Sequence, residues 1–431
     1  MAPRHLRVWL SGAVVRAGAV LAAVALTTAS ASTQTRAGNP QGITNDTILL
    51  GMSAPFTGAS RGLGIELYRG SMAYFAEVNA RGGVHGRKVQ LRAYDDGYQP
   101  DQAVKNTLRL MQEDQVFLLF DYVGTPTVTR VLPLLKKFDS LHFQLFFPFT
   151  GAQPQREPPY DRLAVNLRAS YQQETEGLVA NLLAAGRTRI AVFYQADAYG
   201  RSGWFGVRQA LATRGQKMVA EATYARGTKF TASLDKQVAI LQAAAPDAVI
   251  SIGAYEACAA FIRDARKAGL RVPIANVSFV GSESMLALLT SAGKADGRDY
   301  TTGLINSQVV PSYDNLAVPS VREYRELMTR HHPVPPASLA GTDYVALDQS
   351  FVGFEGFLNA KLLVEVLTRL GDHPQRADVA AAVAGIRRFD LGMGAPISFS
   401  PQRNQGSDAI YYTTVRDGRF VTVQDWAEWA K

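Results

Sequence analysis

Cysteine is nearly absent: one residue, Cys258, in 431. An intramolecular disulfide framework is therefore excluded, and the fold must rest on its core, which a chain of this length can build. Cys258 sits in an apolar helical pattern and reads as a small buried hydrophobe. Metal-binding patterns are also missing: no H-E-x-x-H, no Cys/His cluster, and His331-His332 run straight into Pro333, so no metal is expected. There is no G-x-x-x-x-G-K, and no G-x-G-x-x-G after a strand, so no nucleotide and no other cofactor is expected. Basic residues occur in short pairs such as Lys136-Lys137 and Arg387-Arg388, not in the clustered face that nucleic acid requires. Past the N-terminus, no apolar run reaches the roughly 20 residues of a membrane span.

What is present begins with a distinctive N-terminus. Arg4, His5 and Arg7 precede an Ala/Val/Leu-rich run, and Ala29-Ser30-Ala31 follows it. Basic, apolar, small is the order of a cleaved secretory signal peptide, here 1–31. The apolar run is short for a membrane anchor, and no cysteine lies near the cleavage pattern to carry lipid. Cleavage removes Arg4, Arg7 and Arg16 and reduces the formal charge from +8 to +5. The polar stretch 32–42 reads as a flexible leader.

From residue 43 onward, strand and helix patterns alternate. Apolar runs at 48–52, 116–120, 143–147, 189–194 and 248–252 read as strands, several of them covered on both faces. Helical periodicity covers 65–80, 100–112, 125–137, 171–185, 202–214, 230–243 and 256–268. Pro100 opens one of these helices, and GGVHG at 82–86 closes another. Repeated βαβ implies parallel sheets with helices on both faces. Two such runs, 48–165 and 170–299, imply two similar lobes. The last third is mostly helical, over 320–331 and 343–370, and closes on a hairpin whose turn is Asp417-Gly418.

The order of the local motifs resembles the periplasmic leucine/isoleucine/valine-binding protein family, the substrate-binding components of branched-chain amino-acid-type ABC importers. The resemblance runs through APFTG (54–58), NARGGVHGRKVQL (79–91), YDDGYQPDQA (94–103), VGTPTVTRVLP (123–133) and FPFTGA (147–152). It continues through RIAVFYQADAYG (189–200), DAVISIGAYEACAAFIRDARKAG (247–269) and DLGMGAPISFS (390–400). It implies a type I periplasmic binding protein fold: α/β, two doubly wound parallel-sheet lobes with three hinge crossings near 163–169, 300–308 and 390–397. Lobe 1 is expected at 43–165 plus 302–392, and lobe 2 at 166–301 plus 393–431. It further implies an exported monomer that is not an enzyme, which closes over an amino acid or related carboxylate and hands it to ABC permease subunits.

The resemblance also implies the ligand contacts. Thr125 takes the hydroxyl position for the ligand's carboxylate, with Val123 and Gly124 presenting backbone, and the N-terminus of the helix it opens favours an anion. Phe149 and Thr150 form the second carboxylate loop. Tyr199 and Tyr255 close from lobe 2, and Glu283 takes the ammonium. Ser60 and Arg61, after APFTG, reach toward the cleft from lobe 1. Each has a plainer structural reading: a helix cap for Thr125, a turn hydroxyl for Thr150, lobe-edge aromatics for the tyrosines, first-turn capping chemistry for Glu283. A ligand sensor on the same fold answers the same description. A serine hydrolase is disfavoured, because Gly58-Ala59-Ser60-Arg61-Gly62 matches G-x-S-x-G but Pro55, Phe56 and Thr57 separate Ser60 from the strand.

Overall fold

The computed structural model describes residues 40–429. The expected signal peptide and residues 32–39 of the expected leader lie outside them. The last leader residues are packed: the Gly42 carbonyl accepts from Leu49 N at 2.8 Å, and Ile43 is buried.

The first sheet holds β1 (Thr47–Ala54), β2 (Lys88–Asp95), β3 (Leu118–Phe120), β4 (Leu145–Phe146) and β5 (Ala164–Val165), all parallel, in the order β2-β1-β3-β4-β5. The helices α1 (Arg61–Ala80), α2 (Pro100–Gln112) and α3 (Thr125–Lys137) are its crossovers. The second sheet repeats the winding. Its strands β6 (Ile190–Gln195), β7 (Ala220–Tyr224), β8 (Ala248–Ile252), β9 (Ile274–Asn276) and β10 (Leu304–Gln308) take the order β7-β6-β8-β9-β10. The antiparallel hairpin of β11 (Tyr411–Arg416) and β12 (Arg419–Thr422) extends it beyond β10. Helices α4 (Tyr171–Ala184), α5 (Ala198–Ala212), α6 (Asp235–Ala243), α7 (Tyr255–Lys267) and α8 (Ser282–Asp296) belong to this lobe. Fully buried runs such as LLF in β3 and AVISI in β8 are what a sheet covered on both faces demands.

The chain then returns to the first lobe as α9 (Pro319–His331), α10 (Ala337–Ala340), α11 (Phe351–Arg369) and α12 (Val379–Ala384). Small residues let α1 and α11 come close: a Cβ on Gly70 would sit 1.7 Å from the Gly353 carbonyl oxygen. None of the described helices is long and apolar enough to cross a membrane.

Beyond shifts of a few residues at other helix ends, three boundaries that bear on the lobes differ from the sequence reading. The expected helix from 343 starts only at Phe351, because Ser350 caps it (Oγ accepts from Gly353 N at 2.9 Å). The preceding loop is instead tied to α1, with the Glu66 carboxylate accepting from Tyr344 Oη at 3.0 Å and Leu347 N at 3.1 Å. Secondly, residues 304–308, expected in lobe 1, form β10 of the second sheet, paired with β9 and β11. The second crossing therefore follows Gln308. The third crossing is also later than 390–397. Asn404 Nδ2 donates to the Gln155, Asp161 and Ala164 carbonyls of the first lobe, whereas the neighbouring Gln405 bonds Gln173 of α4. At the first crossing, Asn166 N donates to Asn404 O at 2.7 Å, so two connecting segments run side by side.

Candidate functional site

In doubly wound sheets, ligand groups come from loops just past the carboxyl ends of the strands. After β3 and β4 these loops pair with each other. Val123 bridges Phe149, Gly124 N donates to Phe149 O at 3.1 Å, and Phe149 N donates to Tyr122 O at 2.8 Å. The pairing brings the Thr125 and Thr150 hydroxyls to 2.6 Å, both buried. Gly124 is required here: its φ is +99°, and a Cβ would lie 2.1 Å from Tyr98 Cε2. With Pro126 in the first turn, α3 opens directly behind Gly124.

The second lobe offers the matching loops. After β6, the Asp197 carboxylate caps α5 by accepting from Tyr199 N at 3.0 Å, and it also accepts from Gln195 Nε2 at 2.7 Å. Tyr199 is thereby buried, with its hydroxyl donating to Gly253 O at 3.3 Å. After β9 comes Phe279, fully buried, whose ring centroid lies 4.5 Å from Tyr199, 5.3 Å from Phe149 and 6.0 Å from Tyr98. Tyr171 stands 5.2 Å from Tyr199. The seam between lobes is thus an aromatic box with a pair of threonine hydroxyls on its first-lobe side.

Arg168, in the first crossing, enters the same box and is only 2% exposed. Its guanidinium lies 4.6 Å from the Phe149 ring and 5.8 Å from that of Tyr171. Nη2 donates to Ser278 Oγ and is 3.6 Å from Glu174, while Nη1 is 3.5 Å from Glu355. Nε and Nη1 make no hydrogen bond of good geometry. The same holds for the buried hydroxyls of Tyr98, near Gln195, and of Tyr171, near Thr150. Burial lifts the Glu355 carboxyl to about 7, against the pull of Arg168. Arg156 supports the wall from behind, donating to the Ala152 carbonyl at 2.6 Å and the Arg168 carbonyl at 3.1 Å.

A second interlobe contact lies along the N-terminus of α1. Tyr255 Oη accepts from Gly62 N at 3.2 Å. Ser60 precedes α1 as its N-cap without a side-chain cap bond, and Arg61 reaches out to Asp343 through two contacts of 2.8 and 2.9 Å. Glu283, in the first turn of α8, accepts from Phe351 N at 3.3 Å, beside Tyr313. Its Oε2 is buried without a partner, and burial lifts the carboxyl to about 7.

Of the residues expected from sequence, Val123, Gly124, Thr125, Phe149, Thr150 and Tyr199 therefore come together around Phe279. Tyr255, Glu283, Ser60 and Arg61 sit at the second contact. Sequence reasoning missed Tyr98, Arg168, Tyr171 and Phe279. Two of them carried a signal. Tyr98 ends the YDDGY motif, and Arg168 is a charged residue inside an expected crossing.

A family model for periplasmic binding proteins matches residues 47–419. A solved structure of a possible leucine/isoleucine/valine-binding protein from Rhodopirellula baltica SH 1 superposes with a TM-score of 0.78 at 30% identity, covering 91% of this chain and all of that one. The Leu/Ile/Val-binding protein homolog 7 of Brucella abortus (strain 2308) is 23% identical over 392 residues, which is 87% of this chain and 91% of that protein. An amino acid binding protein of Pseudomonas aeruginosa is 26% identical over 266 residues, 60% of this chain and 66% of that one.

Proposed function

The chain belongs to the periplasmic binding protein family, and from that premise we propose that it is exported, captures a small carboxylate-bearing solute between its lobes and delivers it to an ABC importer. The observation that carries this reading is the Thr125–Thr150 hydroxyl pair, buried at 2.6 Å beside the N-terminus of α3 and next to Phe149, whose ring packs on Phe279 of the second lobe. Hydroxyls and backbone N–H groups at a helix N-terminus are the donors that a carboxylate accepts from. Val123 and Gly124 shape the loop, and Phe149 and Tyr199 wall it. Tyr255 and Glu283 act at the second contact, where closure brings the lobes together. The names of the relatives support an amino acid or a similar carboxylate as the solute class. Delivery to an importer is supported by the resemblance of the motifs to that family.

The test uses the mature protein with a panel of aliphatic and aromatic amino acids and their carboxylate relatives. A true ligand at 100 times its Kd adds about 2.7 kcal/mol of stability and raises the melting temperature. Small-angle scattering with that ligand should show a smaller radius of gyration than without it. No thermal shift with any member of the panel, together with an unchanged radius, refutes the reading.

A further inference from the structure

We propose that the cleft is built for a carboxylate that carries no ammonium group, an aryl- or arylalkyl-carboxylate, with Arg168 as its charge partner. The inference rests on the reading of the cleft as the solute site and specifies its ligand class.

Three observations carry it. The first is the set of unmade bonds. Arg168 Nε and Nη1 and the Tyr98 and Tyr171 hydroxyls are buried without hydrogen bonds of good geometry. Leaving such groups unsatisfied costs about 1–3 kcal/mol each, more for a charged one, so a site of this kind awaits an acceptor. All four belong to residues of the aromatic box, and every one of them can donate. A carboxylate is an acceptor only, and it meets their demand.

The second observation is the state of the carboxylates. An ammonium needs a free one, and none in the box is free. Glu174 accepts from Ser278 N at 2.8 Å and Ser307 Oγ at 2.6 Å and faces Arg168. Asp197 is held by Tyr199 N, Gln195 and Arg226. Glu355 faces Arg168. Arg156 and Arg168 balance Glu174 and Glu355 in charge. A single proton on Glu355, whose burial lifts it to about 7, leaves the four residues with one net positive charge for a monoanion. Glu283, the acidic residue expected from sequence, stands outside the box at the second interlobe contact, where one oxygen accepts from Phe351 N and Oε2 is unpaired.

The third observation is shape. Phe149, Phe279, Tyr199 and Tyr98 present rings with centroid separations of 4.5 to 6.0 Å around Phe279. At these separations the rings touch one another, so a ligand must part them as the lobes open, and the surface it then meets is aromatic and favours a flat apolar body.

Isothermal titration of the mature protein with benzoate, phenylacetate and 3-phenylpropionate, against L-phenylalanine, L-leucine and 3-phenylpropanamide, tests the proposal. At least one of the acids should bind, and 3-phenylpropionate should bind about tenfold or more tightly than L-phenylalanine, whose ammonium would be desolvated without a partner. The neutral amide should bind more weakly than the acid. Arg168→Lys should weaken binding of the acid, but that change also disturbs Glu174 and Glu355 and can compromise folding. Tyr171→Phe avoids this. It removes a hydroxyl that has Thr150 and the Gly151 backbone nearby but no hydrogen bond of good geometry, so the loss in melting temperature should be small while affinity for the acid falls about tenfold. Tighter binding of L-phenylalanine or L-leucine than of the deaminated acids overturns the inference and leaves the solute-binding reading intact. Failure of all three acids to bind also overturns it. Absence of binding by every compound, with no closure in scattering, overturns both. An unchanged affinity in Tyr171→Phe removes that hydroxyl, and the donor set argued from it, from the site.

Discussion

Glu283 provides a quantitative test of how the second interlobe contact is built. Burial lifts its carboxyl from the ordinary 4.5 to about 7, and Oε2 has no partner. An acid whose pKa rises on folding is held protonated in the folded state at pH values where the unfolded chain has already lost the proton. Stability from this group therefore falls as pH rises from about 4.5 through about 7 and is lowest above that window. At about 1.4 kcal/mol per tenfold, the loss reaches about 3 kcal/mol by pH 8. Glu283→Gln removes the ionisation and keeps an oxygen for the Phe351 N–H. Its amide nitrogen, placed where Oε2 is buried, adds a pH-independent offset of about 1–3 kcal/mol. The slope is thus the diagnostic: relative to the parent, the variant should gain about 2.5 kcal/mol between pH 5 and pH 8. Asp96 and Glu355 are also lifted to about 7 by burial, but they occur in both proteins and cancel in the difference. Urea denaturation of both proteins across a pH series gives the number. A difference that does not change with pH refutes the assignment of Glu283 as a carboxyl buried without a cationic partner by the meeting of the lobes.

Two further outcomes follow from named geometry. Gly124→Ala should destabilise by at least about 2 kcal/mol in urea denaturation, because φ is +99° and the new Cβ would meet Tyr98 at 2.1 Å; a change below about 0.5 kcal/mol contradicts the tight packing described for this loop. In a bacterial host, mass spectrometry of the exported protein should find an N-terminus close to Ser32, and an intact N-terminus in the membrane fraction counts against cleavage of the signal peptide.

Much of the architecture could be read from local pattern, because local pattern is what makes these elements. The buried runs of β3 and β8, Pro100 and Pro126 in first helical turns, and Asp417-Gly418 between Arg416 and Arg419 all act over a few residues. The last pair folds as expected, with φ of 50° and 72° and a direct Arg416–Arg419 register. The loops after β3 and β4 were also legible as loops, and the structure pairs them so that Thr125 and Thr150 meet. What sequence did not determine depends on partners far along the chain. LINSQ at 304–308 became a strand of the second sheet because β9, some 30 residues before it, and β11, over 100 residues after it, flank it. Glu283 and Phe279 lie four residues apart, and the family resemblance pointed to the acid as the ligand group. The turn at Gly281, with φ of 75°, sends Glu283 to the Phe351 backbone, whereas Phe279 packs between Tyr98, Phe149 and Tyr199. Arg168 shows the same limit. A lone arginine in a crossing segment is ordinary by composition, and only the meeting of α4, α11 and the β4 and β9 loops buries it with two nitrogens unbonded. Local propensity specifies elements; desolvation and long-range pairing, which exist only once the lobes assemble, specify the site.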